Sequence, residues 1–247
     1  MKLTVIGSGD AFGSGGRLQT CFHVATGQSE FLIDCGATAL IGFHGMGLDP
    51  DRVDAIFISH LHGDHFAGLV WWLLHAEHVS HRNRSLTIAG PPGIEQRYKL
   101  AAEALFAGST SRTPRYPITW HELSERRPLT VGDVEVTAYG VRHPSGAPSY
   151  ALRFASAGRI IGFSGDTEWV DELVEVAAAA DLYISECYGY EEPARYHMTW
   201  GVIAENLARL SAQRIMLTHM STAMLRHAHE IESHRVVVGH DGLVVAF

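Results

Sequence analysis

Three histidines and an aspartate crowd into six residues, His60-Leu61-His62-Gly63-Asp64-His65. An apolar, strand-like run from Val53 to Ile58 leads into them, and a helix-like run from Phe66 to Leu74 leads out. Imidazoles gathered this closely repel one another when protonated. A divalent cation resolves the conflict, because neutral imidazole and ionised carboxylate are its natural ligands. His60 and His62, two apart on an extended segment, share one direction, whereas Asp64 and His65 lie further round, at the start of the helix. That geometry suits two adjacent metal ions better than one. Zinc fits the histidine-rich set, with manganese or iron as alternatives because carboxylates take part. Chance is the competing explanation in a chain with 16 histidines, but the spacing and the flanks are specific.

Two ions need further ligands from other strand ends. His143 follows the strand-like run Val134–Val141 and precedes a Pro-Ser-Gly turn. Asp166 lies in Ser164-Gly165-Asp166-Thr167, directly after the apolar run Arg159–Phe163. His219 closes Arg214–Thr218. Each stands at the C-terminal end of a hydrophobic strand, where α/β proteins gather functional groups. Glu186, after Leu182–Ser185, and His197, just before a helix-like run, can face the same place. A carboxylate beside an imidazole raises its pKa and suits it to donate a proton near neutrality.

The elements that would position these groups alternate along the chain. Strands are expected over Leu3–Ile6, Thr20–Ala25, Glu30–Ile33, Ala55–Ser59 and Leu86–Ala89, with helices over Phe66–His78 and Ile94–Phe106. A meander of Val134–Tyr139, Tyr150–Phe154 and Ile160–Phe163 begins a second sheet. Helix Glu168–Ala179, strand Leu182–Ser185, helix Trp200–Leu210, strand Ile215–Leu217 and helix Thr222–His229 follow. Val236–Val238 and Leu243–Ala246 read as a closing hairpin across Gly239-His240-Asp241-Gly242. The order fits an α/β fold with two sheets face to face, each covered by helices. No linker, repeat or low-complexity tract interrupts it, so residues 1–247 read as one domain. Gly7-Ser8-Gly9 starts like a dinucleotide fingerprint, but Phe12 replaces the third glycine and no helix pattern follows. A flexible loop over a site is the better reading.

A net charge of -8 argues against broad electrostatic binding to nucleic acid. No apolar run is long enough to span a membrane, and no signal peptide is visible. Cys21, Cys35 and Cys187 form no C-x-x-C pair and read as reduced, buried residues of a cytoplasmic protein.

H-x-H-x-D-H, then His143, then S-G-D-T, then T-H at a strand end resembles the metallo-β-lactamase-fold hydrolases over essentially the whole chain. Ile33-Asp34-Cys35-Gly36 resembles that superfamily's first Asp motif. The resemblance implies a four-layer αββα sandwich. It also implies one ion on His60, His62 and His143, a second on Asp64, His65 and His219, and Asp166 bridging both. Asp34 would orient a ligand histidine. Within the superfamily the ribonuclease Z-like branch is the nearest in pattern, since Glu186 with His197 resembles its Glu–His pair that protonates a leaving alkoxide. The long arm that grips tRNA, inserted in many such enzymes between the third motif and the bridging Asp, has no room between His143 and Asp166. That speaks against tRNA as substrate. Pairing is common in this branch, so a homodimer is implied, with Trp71-Trp72 as a candidate contact.

The expected function is hydrolysis by metal-bound hydroxide, with Asp64 handling the nucleophile's proton and His197, backed by Glu186, protonating the leaving oxygen. A phosphodiester is the first substrate class: a small cyclic phosphate or nucleotide, or a short nucleic-acid end. A lactone, ester or thioester hydrolase is the alternative on the same site. A diiron redox protein is disfavoured by His62, where that branch tends to carry Glu, and a metal-free binding module by the filled ligand positions. Phe12, Phe43, Trp71, Trp72, Tyr188 and Tyr190 are candidate pocket aromatics. His75, His78, His81, His227, His229 and His240 are assigned no metal.

Overall fold

The computed structural model describes residues 1–111, 113–192 and 194–247. Its first sheet contains β1 (Lys2–Gly7), β2 (Cys21–Ala25), β3 (Glu30–Ile33), β4 (Ala55–Phe57), β5 (Leu86–Gly90) and β6 (Ile118–Glu122). The second contains β7 (Leu129–Val131), β8 (Val134–Gly140), β9 (Tyr150–Ser156), β10 (Arg159–Phe163), β11 (Leu182–Glu186), β12 (Arg214–Thr218) and β13 (Val236–Val238). β14 (Val244–Ala246) returns to the first sheet, giving the orders β14-β1-β2-β3-β4-β5-β6 and β13-β12-β11-β10-β9-β8-β7.

Alternation along each strand builds the layers. Val5, Phe31, Ile33 and Phe57 point from the first sheet into a core shared with Leu152, Phe154, Phe163 and Ile184 of the second. Their neighbours Ile6, Leu32 and Ile56 point the other way, into a core with Leu69, Trp72 and Ile94. Those three come from α3 (Gly68–His78) and α4 (Ile94–Leu105). Tyr183 and Ile215 likewise turn from the second sheet towards Leu173, Ile203 and Met224, which lie on α5 (Glu172–Val176), α6 (Trp200–Asn206) and α7 (Thr222–His227). A period of two thus gives each sheet two apolar faces, and helices must cover the outer ones. The result is the expected αββα sandwich. Between the sheets Phe31 stacks on Phe154 at 5.3 Å, and Phe22 meets Phe163 edge-on at 5.5 Å. Each such side chain, fully buried, contributes roughly 1.5–3 kcal/mol.

The closing hairpin does not form. β13 pairs with β12 in the second sheet and β14 with β1 in the first, so Gly239–Gly242 crosses from one sheet to the other. The Asp241 carboxylate explains the detour, accepting bonds from Ser8 N, Ser8 Oγ and Leu18 N, each at 2.8 Å. The N-terminal glycine loop is therefore tied at its base rather than free. Helix α1 (Ala39–Gly45), β6 and β7 are additional to the expected elements, and the helix expected over Glu168–Ala179 is helical only at Glu172–Val176. The helix expected from Phe66 begins earlier, as α2 (Gly63–Phe66). No helix among the described residues is long and apolar enough to cross a membrane.

β3, β4 and β5 run parallel in one sheet, and β10, β11 and β12 in the other. Their C-terminal ends deliver Asp34, His60, Asp166, Glu186 and His219.

Candidate metal centre

The turn after β4 is packed too closely for an ordinary residue opposite it. A Cβ on Gly36 would stand 2.4 Å from the Asp64 carbonyl oxygen, so the D-C-G sequence needs its glycine. Asp34 and His219 both adopt φ 57, a left-handed conformation that costs a non-glycine residue of order 1–3 kcal/mol. Both side chains point into one site.

Ligand atoms of His60, His62 and His143 lie within 4.8 Å of one another, as do those of Asp64, His65, Asp166 and His219. These are the two sets that the sequence resemblance implies. Asp166 touches both. Its Oδ2 lies 3.2 Å from His219 Nε2, 3.8 Å from His60 Nε2 and 3.9 Å from His143 Nε2, and its Oδ1 lies 3.3 Å from His65 Nε2. Asp64 Oδ2 is 3.2 Å from both His65 Nε2 and His219 Nε2.

Outer contacts fix which nitrogen of each ring faces inward. Asp34 Oδ2 lies 2.6 Å from His65 Nδ1, while Ser59 donates to Asp34 through its backbone N (2.7 Å) and Oγ (2.8 Å). Ser59 Oγ also lies 3.0 Å from His60 Nδ1. His143 Nδ1 donates to the Tyr196 carbonyl at 3.0 Å. Nε2 of His60, His65 and His143 is thereby left for the centre, the arrangement metal-bound imidazoles require.

The residues fit a cation. His60 Nε2, His65 Nε2 and Asp166 Oδ1 are buried with no hydrogen-bond partner, a cost the protein carries only where something else satisfies them. Burial, aided by the His65 charge, drives the His60 pKa far down, so it is the neutral ring a metal takes. Burial opposes protonation of His219 too, but Asp166 and Asp64 outweigh it and raise its pKa to about 9. A proton thus answers, in the bare protein, the negative charge a cation would otherwise meet.

Glu186 and His197 also meet here. Burial lowers the His197 pKa, but the Glu186 carboxylate, 3.0 Å from Nδ1, wins and raises it. Burial raises the Glu186 pKa against the pull of His197, and the Thr167 N–H donates to its other carboxylate oxygen. Tyr188 stacks on His197 at 4.9 Å. Every site residue expected from the sequence is therefore brought to one place. Among the aromatics, Phe12 and Tyr188 line the cavity over the cluster, which has a volume of about 420 Å³. Phe43 and Trp72 pack edge-on in the core at 4.8 Å, Trp71 lines a separate groove, and Tyr190 stacks on His227.

Ser59, Glu168 and Tyr196 are additions. Ser59 stands beside the first histidine, a signal too common to read. Tyr196 acts through its carbonyl, which no sequence motif distinguishes. Glu168 Oε1 accepts from Tyr196 N at 3.0 Å, and only its place two residues past Asp166 hints at a role.

Structures of two proteins share this fold along their length. The metallo-β-lactamase fold protein YhfI from Bacillus subtilis is 25% identical with a TM-score of 0.80, covering 99% of this chain and 98% of its own. Human tRNase Z, short form, is also 25% identical with a TM-score of 0.80, covering 100% of this chain and 99% of its own. Ribonuclease Z of Bacillus velezensis is 26% identical in sequence over 78% of each chain. Together with the cluster, these likenesses define a metallo-β-lactamase-fold, ribonuclease Z-like, metal-dependent hydrolase. Residues 144–165 hold β9, β10 and short turns, so no arm is inserted there. The chain belongs to the family described as anti-Pycsar protein Apyc1, whose profile matches residues 1–241.

Proposed function

We propose that the chain is a dinuclear phosphodiesterase acting on a small phosphodiester, such as a cyclic nucleotide or a short nucleic-acid end. In this reading His60, His62 and His143 hold one divalent cation, and Asp64, His65 and His219 the other. The observation that carries it is the position of Asp166, one carboxylate within 4 Å of ligand nitrogens from both sets. Bound zinc, or alternatively manganese or iron, lowers the pKa of water towards neutrality and stabilises charge on the phosphoryl oxygens.

The chain's own groups do the rest. Asp34 holds His65, and the Tyr196 carbonyl holds His143, so the rings need not reorganise during reaction. Asp64 orients the attacking water and accepts its proton. His197 keeps Nδ1 on Glu186 and turns Nε2 to the cavity, where it protonates the departing oxygen. A cavity of about 420 Å³ supports a small substrate rather than tRNA. We place this activity in one domain spanning residues 1–247, in the cytoplasm, with the chain acting as a homodimer.

Bis-nitrophenyl phosphate, cyclic AMP and an acyl lactone separate the substrate classes. The phosphodiesters should turn over and the lactone should not. His62→Ala and Asp166→Ala should each lose turnover and the second metal equivalent by elemental analysis. Full turnover with two bound ions in either variant refutes the site.

A further inference from the structure

The ligand histidines differ in what holds their rings. Nδ1 of His60 lies against Ser59 Oγ, that of His65 against Asp34, and that of His143 against the Tyr196 carbonyl. Nδ1 of His219 is buried with no hydrogen-bond partner among the described residues. With no outer contact to turn this ring, its direction has to come from its own backbone. That backbone stands at φ 57, where an ordinary residue stays only if its neighbours hold it.

The hold is a chain of bonds reaching to both ends of the sequence. His219 N donates to the Ser8 carbonyl at 2.9 Å, and Gly9 pairs with Met220 beside it. Ser8 is buried and is gripped in turn, its N and Oγ each donating to Asp241 Oδ1 at 2.8 Å. Oδ2 of the same carboxylate accepts from Leu18 N at 2.8 Å, which fixes the returning side of the loop. Arg17 completes the knot by donating to Ser8 Oγ at 3.1 Å and to the Gly239 carbonyl. Asp241 itself lies between β13 and β14, on the crossing from one sheet to the other.

We propose that Asp241 is a positioning residue for the metal centre: through Ser8 it fixes the backbone of His219, and with it the ring that lacks an outer anchor. The effect on metal rests on the dinuclear reading, in which His219 shares one ion with Asp64 and His65. The other set draws on separate anchors, Ser59 for His60 and Tyr196 for His143. Asp241 therefore acts on one of the two ions.

Chelator competition on the full-length, zinc-loaded protein, resolved for each metal equivalent, tests the link. Asp241→Ala should weaken one equivalent by about tenfold to a hundredfold and leave the other as in the wild type. Asp241→Asn keeps Oδ1 for Ser8 and should bind both equivalents as the wild type does. His219→Ala should weaken the same equivalent, and adding Asp241→Ala to it should cost nothing more, because residues that act through one another do not add. Equal weakening of both equivalents overturns the proposal, as does no weakening at all. So does a further loss from Asp241→Ala in the His219→Ala background, or a loss in Asp241→Asn as large as in Asp241→Ala. Disappearance of the cooperative melting transition in Asp241→Ala makes the residue a general anchor of the fold and also overturns it. A readout independent of metal is hydrogen exchange at the His219 amide, which should be about fivefold to tenfold faster in Asp241→Ala than in the wild type. An unchanged rate overturns the proposal. A wild type that binds fewer than two ions but shows the faster exchange in Asp241→Ala supports the positioning role and refutes only the dinuclear reading.

Discussion

Glu168 and His143 are joined through the backbone of one residue, Tyr196. Glu168 Oε1 accepts from the backbone N of Tyr196 at 3.0 Å, and the carbonyl of Tyr196 accepts from His143 Nδ1 at 3.0 Å. Tyr196 stands at φ 67, a conformation it would leave without such anchors. An acidic side chain two residues beyond Asp166 thus sets the direction of the His143 ring.

Glu168→Ala should release the Tyr196 backbone and loosen His143. Metal affinity, read by competition with a chelator, is expected to fall about tenfold to a hundredfold. Glu168→Gln keeps an acceptor oxygen and should bind metal as the wild type does. Equal loss in both variants would mean that the charge matters, not the acceptor.

His197→Ala should discriminate between leaving groups. A substrate expelling an alkoxide needs a proton and is expected to slow by about 10²–10⁴-fold. One expelling nitrophenolate needs none and should slow far less. Parallel kcat measurements on the two substrates decide it, and equal losses remove the acid role.

Asp181 gives a pH test away from the centre. Burial pushes its pKa up, but the Ile160 N–H and the Arg159 guanidinium, each 2.8 Å from the carboxylate, hold it below the usual range. A depressed carboxyl stabilises the fold above its unfolded pKa, about 3.9, and loses that contribution as pH falls through the folded value. The Tm deficit of Asp181→Asn should therefore be largest near neutrality and shrink steadily as pH drops below about 4. A deficit that is constant across that range would assign it to packing.

The centre was legible because its ligands follow apolar strands, and strand ends are what periodicity marks best. His60, Asp166 and His219 each sit just beyond such a run. Ile118–Glu122 was not legible, since an edge strand reading Ile-Thr-Trp-His-Glu is half-exposed and carries no continuous apolar signal. The last two strands were found but mispaired. Gly-His-Asp-Gly has the composition of a hairpin turn, and alternation within a strand says nothing about which sheet it joins. What decided the pairing was the bonding of Asp241 to Ser8 and Leu18, more than 200 residues away. Tyr196 stayed hidden for another reason: any residue could supply its carbonyl.

That bond between Asp241 and the loop of Phe12 constrains how the enzyme is born. A polypeptide leaving the ribosome exposes residues 8–18 well before their anchor, which follows more than 200 residues later. The wall of the cavity that this loop forms cannot be fixed until Asp241 has emerged, so a nascent chain could pair β1 to β6 and still be inert.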